Sequence, residues 1–420
     1  MFEAIAARGE AAAAVSEQGW LQAMLDAEAA LARALAGASV ISGEDAEAIA
    51  AVCVAERFDA GAIAAAAAGS GNPVVPLKQA LTDAVEGPAA AHVHRGATSQ
   101  DILDTAAMLV AARALDPLLD DLTATREAAA ALARAHRDTP LAGRTLLQQA
   151  VPTTFGLKAA GWMAGLEDAR RWLNEIRVER LAAQLGGAAG TLASLGDAGP
   201  AVATAYADAL GLPEPVLPWH TLRGRIGELA SALAVTSGAV AKAARDVILL
   251  SQTEVAEVRE AKGGGSSAMP HKRNPVAAIC ALACAQQAPG LAATLLGAMA
   301  HEHERAAGSW HAEWRPLGEL LRSTGSAVAW LRDSLEGLEV DPERMRANLD
   351  ATGGRMLAER VKGEVDEDAL ERAIASDDFR AAVTELVGAE RAAELLDPAG
   401  YLGSAGELVD RALDFYDREG

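Results

Sequence analysis

Apolar residues recur with helical spacing along most of this 420-residue chain. In residues 225–260 they mark one face through many turns, which is longer than a typical globular helix. Residues 276–300 form a second run that is apolar on every side, and such a helix has to be buried. These stretches predict a mainly helical bundle with one helix at its centre or shared between subunits of a homo-oligomer. The apolar positions of the first stretch are Ile226, Leu229, Leu233, Val240, Ala244 and Val247.

Breaks in this pattern predict three all-α domains. Glycine and proline clusters at 69–73 and 87–88 divide residues 1–102 into the short helices of a small N-terminal domain. Residues 103–340 fit a central bundle of long helices, which we expect to carry oligomerisation and the active site. Residues 341–420 are more charged and predict a small C-terminal helical domain. Its helices are expected near 342–360, 367–375, 378–396 and 403–418.

The pair Asp116-Pro117 lies inside the central stretch. An aspartate followed by a proline is typical of a helix N-terminus, because the carboxylate caps free N–H groups and the proline has none to leave unpaired. The pair predicts that a helix begins or kinks at this point. Two further interruptions are expected at the glycines of 186–190 and the prolines of 212–218.

The chain is acidic, with 37 basic and 58 acidic residues and a net charge of −21. This charge argues against nucleic acid or an anionic membrane as a partner. It does not exclude a small anionic substrate, because a local cluster of arginine and lysine binds a carboxylate at short range while the distant field is screened.

Three cysteines, Cys53, Cys280 and Cys284, make a disulfide framework improbable. Cys280 and Cys284 lie in an apolar run, where buried small hydrophobic residues are favoured over a redox role. The N-terminal residues MFEAIAARGE lack a basic segment followed by an apolar one, and we expect no uncharged apolar run of membrane-spanning length. A cytoplasmic protein without a membrane partner is the expectation.

The segment with the strongest chemical signal is 263–275, GGGSSAMPHKRNP. A mobile linker is the alternative, but a plain linker has no reason to follow its glycines with two hydroxyls, two cations and an amide. Glycines let successive N–H groups converge on an anion, and adjacent cations add positive potential. The segment therefore predicts an anion site.

This segment resembles the signature loop of the fumarase/aspartase superfamily, Gly-Ser-Ser-x-x-Pro-x-Lys-x-Asn. The match covers Gly265, Ser266, Ser267, Pro270, Lys272 and Asn274. The resemblance implies that Ser266 moves the proton on a carbon α to a carboxylate and that Lys272 helps to stabilise the negative charge. It also implies a fold of three helical domains around a central long-helix bundle, and a homotetramer whose active sites are shared between subunits.

A second segment, His92–Asp101, resembles the first conserved region of the superfamily, which binds substrate carboxylates. His94, Arg95, Thr98 and Ser99 carry over. The alternative is a helix cap, since Thr98 or Ser99 before Asp101 suits a helix N-terminus. Both interpretations are compatible, because a helix N-terminus also favours an anion.

A third segment, Gly143–Lys158, resembles the second conserved region, which usually reads Arg-Thr-His in fumarases and in adenylosuccinate and argininosuccinate lyases. Here Leu146 replaces the histidine, and Ile279 stands where those relatives often have its glutamate partner. Loss of both suggests a chemistry without that pair, since losing one alone leaves a buried group unpaired. A reaction whose leaving group is a carboxylate does not need such a pair as a general acid. The carboxylate leaves as a stable anion at neutral pH, because its pKa lies near 4.

The branch that fits is that of the 3-carboxy-cis,cis-muconate cycloisomerases, which form 4-carboxymuconolactone in protocatechuate (β-ketoadipate) catabolism. An adenylosuccinate-type C–N lyase and a non-catalytic structural relative are the alternatives. No metal or organic cofactor is implied. Arg305, Arg315 and Arg223 are further candidates for binding carboxylates, whereas Trp310 and Trp314 are favoured as core or interface anchors. The substrate-binding set implied is His94, Arg95, Thr98, Ser99, Arg144, Thr145, Gln148, Ser267, Met269, Asn274, Arg305 and Arg315.

Overall fold

The protein is mainly helical, as predicted. The computed structural model describes residues 3–265 and 268–419. Except for Glu17–Gly37, the helices of the first part of the chain are short, and Ser16, Ser42 and Asp59 cap three of them by accepting a hydrogen bond from a free backbone N–H. These helices are α1 (Glu3–Ala6), α2 (Ala11–Ala14), α3 (Glu17–Gly37), α4 (Gly43–Ala50), α5 (Ala60–Ser70) and α6 (Val74–Ala84).

Long helices follow, as the apolar pattern predicts. They are α7 (Ser99–Ala135), α8 (Phe155–Glu175), α10 (Gly224–Leu250) and α13 (Ser309–Glu336), with the shorter α9 (Gly199–Leu210) between α8 and α10. No helix begins at Asp116, because α7 runs through Pro117 without ending, and the alternative of a kink at this pair stays a prediction. A proline inside a helix costs about 3 kcal/mol. Burial of three leucines around it offsets that cost, since Leu115, Leu118 and Leu122 have no exposed surface.

The apolar run near 276–300 is two helices, α11 (Val276–Ala285) and α12 (Ala288–Ala298), separated at Gln286 and Gln287. One stretch of the described chain, Val276–Ala298, is long and apolar enough to cross a membrane by length and composition alone. The expectation that no run reaches this length is therefore wrong. Only 39% of its most apolar window is buried within the chain, so much of the predicted central helix is uncovered in one copy.

The helices predicted at 367–375 and 403–418 form with at most small changes of boundary, whereas the stretch predicted at 342–360 is interrupted between Asp350 and Ala358, where Gly353 and Gly354 have positive φ. The stretch predicted at 378–396 is broken by Gly388, whose φ of 85° an L residue rarely adopts. The segments are α14 (Pro342–Asp350), α15 (Ala358–Lys362), α16 (Glu367–Ala375), α17 (Phe379–Val387), α18 (Ala389–Leu395) and α19 (Ala405–Glu419). A compact apolar cluster joins α15 to α18, with Val361, Leu370, Phe379 and Val383 at its centre.

Four short strands accompany the α-helices. Short 3₁₀ segments lie at Ala55–Arg57, Gly87–His92, Ala193–Ala198, Arg355–Leu357 and Pro398–Tyr401, and a π-helical turn lies at Ile176–Arg180. An antiparallel hairpin pairs β1 (Pro140–Thr145) with β2 (Gln148–Thr154), and β3 (Val258–Glu260) pairs antiparallel with β4 (Leu338–Val340). Both pairs lie beside segments that the sequence marks as functional. The β1–β2 hairpin includes Arg144 and most of the segment Gly143–Lys158 that precedes α8. Strand β3 ends three residues before the signature loop begins.

The chain divides into two compact units, each made of three segments. Unit one comprises Met1–Asp121, Ala169–Gly238 and Ala283–Ala329. Unit two comprises Leu122–Asp168, Ala239–Leu282 and Trp330–Gly420. The three-domain division at 102 and 340 stays a prediction.

Candidate active site

The Thr98–Ser99 turn of unit one begins α7, so the helix N-terminus predicted there is confirmed. The backbone N–H of Thr98 donates to Asp101 Oδ2 at 2.9 Å, so the first turn is closed by its own aspartate. Asp101 is fully buried and also accepts hydrogen bonds from the N–H groups of Gly186 and Gly187, each at 2.9 Å. His220 Nε2 lies 2.7 Å from Asp101 Oδ1. We call Asp101, His220, Gly186 and Gly187 the Asp101 cluster.

Arg305, which is predicted to bind a substrate carboxylate, lies in the same unit. Its Nε donates to Gln100 Oε1 at 3.2 Å and its Nη2 to the carbonyl of Ala188 at 3.2 Å. Among the described residues these bonds leave Nη1 unengaged. Three of its five N–H donors remain for a ligand.

Arg223, the third arginine candidate, is engaged inside the protein. It is 2% exposed and donates to both oxygens of Asp104, at 2.7 and 3.0 Å, and to Glu313. Burial alone lowers the pKa of Arg223, but the two carboxylates outweigh it and the pKa is raised. A substrate carboxylate could bind Arg223 only by displacing Asp104 or Glu313.

The two tryptophans of α13 behave as core residues more than as ligands of substrate. Trp310 is 3% exposed and its Nε1 donates to Asp104 Oδ1 at 3.0 Å. The Trp310 and Trp314 rings meet edge to face, 4.9 Å apart. The interpretation as core anchors is confirmed for Trp310.

His94 and Arg95 are held by neighbours in unit one. His94 has a φ of 62° and its Nδ1 lies 2.6 Å from the buried Glu28, while Arg95 Nη1 lies 3.2 Å from His92 Nδ1. Arg315 instead lines a largely apolar cavity of about 310 Å³ with Trp20, Met24 and Trp314. No described residue pairs with its guanidinium.

The β1–β2 hairpin of unit two presents Arg144, Thr145 and Gln148. Arg144 holds the carboxylate of Glu257 with two hydrogen bonds, 3.0 and 2.7 Å, so its charge is already paired. Thr145 faces Gln148 across a two-residue turn formed by Leu146 and Leu147.

Leu146 and Leu147 both have positive φ, 52° and 65°, and are 97% and 78% exposed. Ile279, at the position of the missing glutamate, is 44% exposed. Burial inside one chain therefore does not explain the joint loss of the histidine and glutamate.

The signature loop leaves unit two between paired ends. Gly264 and Asn274 exchange two backbone hydrogen bonds of 2.9 and 2.8 Å, which close the loop. A Cβ at Gly264 would lie 2.3 Å from Val276 Cγ2, so only glycine fits there. Met269 and Lys272 are exposed on this loop, whereas Ser266 and Ser267 lie outside the described residues.

The structure thus places the predicted residues in two groups. Unit one holds His94, Arg95, Thr98, Ser99, Arg305 and Arg315. Unit two holds Arg144, Thr145, Gln148, Met269, Lys272 and Asn274. The sequence interpretation assigned no role to Gln100, His220 or Glu257, which support these residues. The resemblance marked the segments that contain Gln100 (92–101) and His220 (218–221), but no pattern marked Glu257.

A family model described as a lyase matches residues 3–290. The chain belongs to this lyase family. It is 48% identical to a 3-carboxy-cis,cis-muconate cycloisomerase of Bradyrhizobium diazoefficiens, over 97% of this chain and 96% of that protein. It is 46% identical to a nitrosuccinate lyase of Streptomyces davaonensis, over 97% of this chain and 92% of that protein.

Solved structures of lyase relatives share the fold over 95–100% of this chain. The crystal structure of 3-carboxy-cis,cis-muconate lactonizing enzyme from Pseudomonas putida has a TM-score of 0.92 at 42% identity, covering 100% of this chain and 99% of that one. A fumarate lyase from Mesorhizobium sp. has a TM-score of 0.85 at 35% identity, covering 95% and 96%. The predicted all-α, fumarase/aspartase-like fold is confirmed.

Proposed function

We propose that this lyase-family protein is a 3-carboxy-cis,cis-muconate cycloisomerase. The observation that carries the proposal is the 48% identity to a relative of that name along 97% of the chain. The site supports it, because Arg305 keeps free N–H donors and the hydroxyls of Thr98 and Ser99 lie in the same unit, where they can donate to a carboxylate. The signature loop adds an exposed cation at Lys272.

The reaction is an addition of a carboxylate to a double bond. One carboxylate oxygen of the substrate forms a C–O bond with an alkene carbon, and the neighbouring carbon, α to another carboxylate, takes a proton. Because three carboxylates become two carboxylates and one ester, each turnover at neutral pH takes up one proton. No group leaves as an amine or hydroxide, so the absence of a histidine at Leu146 is compatible with the chemistry.

Ser266 moves the proton in this proposal, and Lys272 with the loop N–H groups stabilises the negative charge on the α carboxylate. Arg305, Thr98 and Ser99 bind a second carboxylate. Arg144 contributes less directly, since Glu257 already occupies its guanidinium. Arg315 lies in an apolar cavity and has the weakest support of the predicted set.

A homotetramer with shared active sites is part of the proposal. Its support is the apolar surface left uncovered in one copy at Val276–Ala298. Large exposed apolar patches mark interaction sites. Sedimentation of the purified protein measures this directly, and a monomer at micromolar concentration would contradict it.

The experiment is an assay of the purified protein with 3-carboxy-cis,cis-muconate. Loss of the ultraviolet absorbance of the diene is followed together with proton uptake, and we expect one proton per diene lost. Ser266→Ala should lower kcat by about 10³-fold, within the range for loss of a proton-transfer group. Ser404→Ala, at an exposed C-terminal position, is the control. Full activity of Ser266→Ala would remove the role of Ser266.

Cleavage of nitrosuccinate is the second candidate, favoured by the 46% identity to a nitrosuccinate lyase. Assays of the same purified protein with both substrates distinguish the two candidate functions. Activity on nitrosuccinate with none on carboxymuconate would reverse the preference.

A further inference from the structure

The side chain of Gln100 connects three buried or half-buried groups of unit one. Gln100 has no exposed surface. Its Nε2 donates to Asp104 Oδ2 at 3.1 Å and to the carbonyl of His220 at 2.9 Å, and its Oε1 accepts from Arg305 Nε at 3.2 Å. Because Asp104 and the carbonyl only accept, the amide nitrogen has to face them, and the oxygen is left for Arg305.

The groups on the far side of Gln100 are fixed in turn. Asp104 is held by Arg223 and by the indole N–H of Trp310, all nearly fully buried. A buried polar network with its partners satisfied is rigid. The amide oxygen of Gln100 is therefore a fixed acceptor at the point where Arg305 enters.

The Asp101 cluster fixes the other contact of Arg305. Asp101 accepts from Gly186, Gly187, His220 and Thr98, so one carboxylate ties the Thr98 turn to the glycine loop. Ala188, next in that loop, provides the carbonyl that accepts from Arg305 Nη2. The loop needs glycine, because a Cβ at Gly186 would lie 2.8 Å from the His220 ring.

We propose that Gln100 and Asp101 are positioning residues. Asp101 fixes the Thr98–Ser99 turn and the 186–188 loop, and Gln100 fixes Arg305 against that loop, so that the free Nη1 edge of Arg305 meets a substrate carboxylate in one orientation. The inference rests on the proposed function for the identity of the substrate. The inference goes beyond the proposed function because it assigns part of the strength of substrate binding to two residues that do not contact the substrate.

The physical reason is the freedom of the arginine side chain. An arginine that is not held must lose its rotamer freedom when the ligand binds, whereas a held one has already lost it. Removing the Gln100 amide should therefore weaken substrate binding roughly 10-fold, with little effect on the chemical step. Without Arg305 the amide has nothing to orient, and its removal should have no further effect.

A double-mutant cycle tests this prediction. Gln100→Met, Arg305→Met and the double variant are assayed for kcat and KM with 3-carboxy-cis,cis-muconate. We expect Gln100→Met to raise KM roughly 10-fold with kcat changed less than threefold, and the double variant to match Arg305→Met. Additive effects of the two substitutions, or an unchanged KM in Gln100→Met, overturn the role of Gln100.

Gln184→Met is the matched control. Gln184 is also fully buried and its Nε2 lies 3.5 Å from Asp104, but it makes no bond to Arg305. Its Oε1 accepts from the backbone of Trp219. Gln184→Met should lower the melting temperature without raising KM. A KM rise equal to that of Gln100→Met would mean that general loss of the buried network is responsible, and would overturn the proposal.

Asp101→Asn tests the second residue. An amide has only one accepting atom and cannot serve the donors on both oxygens, so KM should rise roughly 10-fold. Asp116→Asn, on the exposed surface of the same helix and paired with Arg177, should leave KM unchanged. An unchanged KM in folded Asp101→Asn overturns its role.

The same variants are titrated with tricarballylate by calorimetry, which does not depend on turnover. If the unsubstituted protein has no activity on carboxymuconate, the proposed function fails. The double-mutant cycle is then evaluated with the Kd values for tricarballylate in place of KM. If the unsubstituted protein is active and the cycle is additive, the positioning proposal alone fails. Absence of tricarballylate binding to an inactive protein overturns both.

Discussion

Arg144 and Glu257 form a two-pronged ion pair, with Nη1 to Oε2 at 3.0 Å and Nη2 to Oε1 at 2.7 Å. The carboxylate of Glu257 has no exposed surface, and Asn348 Nδ2 donates to it at 2.8 Å. A residue first predicted as a ligand of substrate therefore has a structural partner. The pair ties the β1–β2 hairpin to the segment before β3.

Breaking this pair should destabilise the protein strongly. Arg144→Met leaves a buried carboxylate without its cation, which costs about 3 kcal/mol. Arg259→Met, which removes an exposed pair with Glu339, should cost less than about 1 kcal/mol. Urea unfolding of both variants measures the difference in the free energy of unfolding. Equal costs would contradict the structural role of the pair.

Lys272 should matter to the reaction and not to folding. Lys272→Met removes a cation from an exposed loop, so kcat should fall by about 10²–10³-fold, as for the loss of one stabilising donor. The melting temperature should not change. Lys78→Met, at an exposed position of α6, is the matched control and should keep full activity. A Lys272→Met variant with full activity would exclude this charge from the mechanism.

The leucine turn of the hairpin should be less stable than it could be. Two-residue turns with positive φ at both positions favour asparagine and glycine, and a leucine held there costs about 1 kcal/mol or more. Leu146→Asn should therefore increase the free energy of unfolding by about 1 kcal/mol. Val216→Asn, at a residue 98% exposed without positive φ, should change it by less than about 0.5 kcal/mol.

Urea titration at one protein concentration measures both turn variants. A loss of stability in Leu146→Asn, accompanied by dissociation in sedimentation, would show that the leucine is buried between subunits. In that case the gain in turn stability from asparagine would be smaller than the loss of the contact between Leu146 and the neighbouring subunit.

Stability should fall as the pH rises above 9, in part because of Cys53. Burial, with the nearby carboxylates of Glu28 and Asp26, raises the pKa of the Cys53 thiol from 9.0 to about 12. The folded state holds the proton more tightly than the unfolded one, so the stabilisation is complete below pH 9 and is lost towards pH 12. The slope is at most about 1.4 kcal/mol per pH unit. Cys53→Ala should reduce the slope between pH 9 and 11, and an unchanged slope would contradict the assignment.

The sequence predicted the helices well where apolar spacing or capping decides them. The start of α7 at Ser99 followed from Thr98 and Asp101, which act within one turn. No helix starts at Asp116, one of the two outcomes expected there, because the local proline signal is weaker than burial of the leucines around it, and burial is a tertiary property. The break at Gly388 inside a predicted helix has a different and local origin, the positive φ of 85° at that glycine.

The candidate site was predictable as far as the signature loop and the family pattern reach. The pairing of Arg144 with Glu257 was not, since 113 residues separate them and neither carries a local signal. Burial of Arg223 between Asp104 and Glu313 was hidden for the same reason. Pairing between residues distant in the sequence decides which arginines remain available to bind a substrate carboxylate. The pattern of a single sequence does not predict such pairs.

The carboxylate of Glu260 accepts from the N–H groups of Ala277 and Ala278 at the start of α11, immediately after the signature loop. The positive end of that helix is thus already neutralised by the chain itself. The attraction of the loop for anions therefore comes from its own N–H groups and from side chains such as Lys272 and Arg273, and not from this helix. A helix dipole belongs to the backbone and no substitution removes it, whereas a side-chain charge changes with one codon. Natural variation can therefore adjust anion affinity at this loop step by step, without altering the helix that follows.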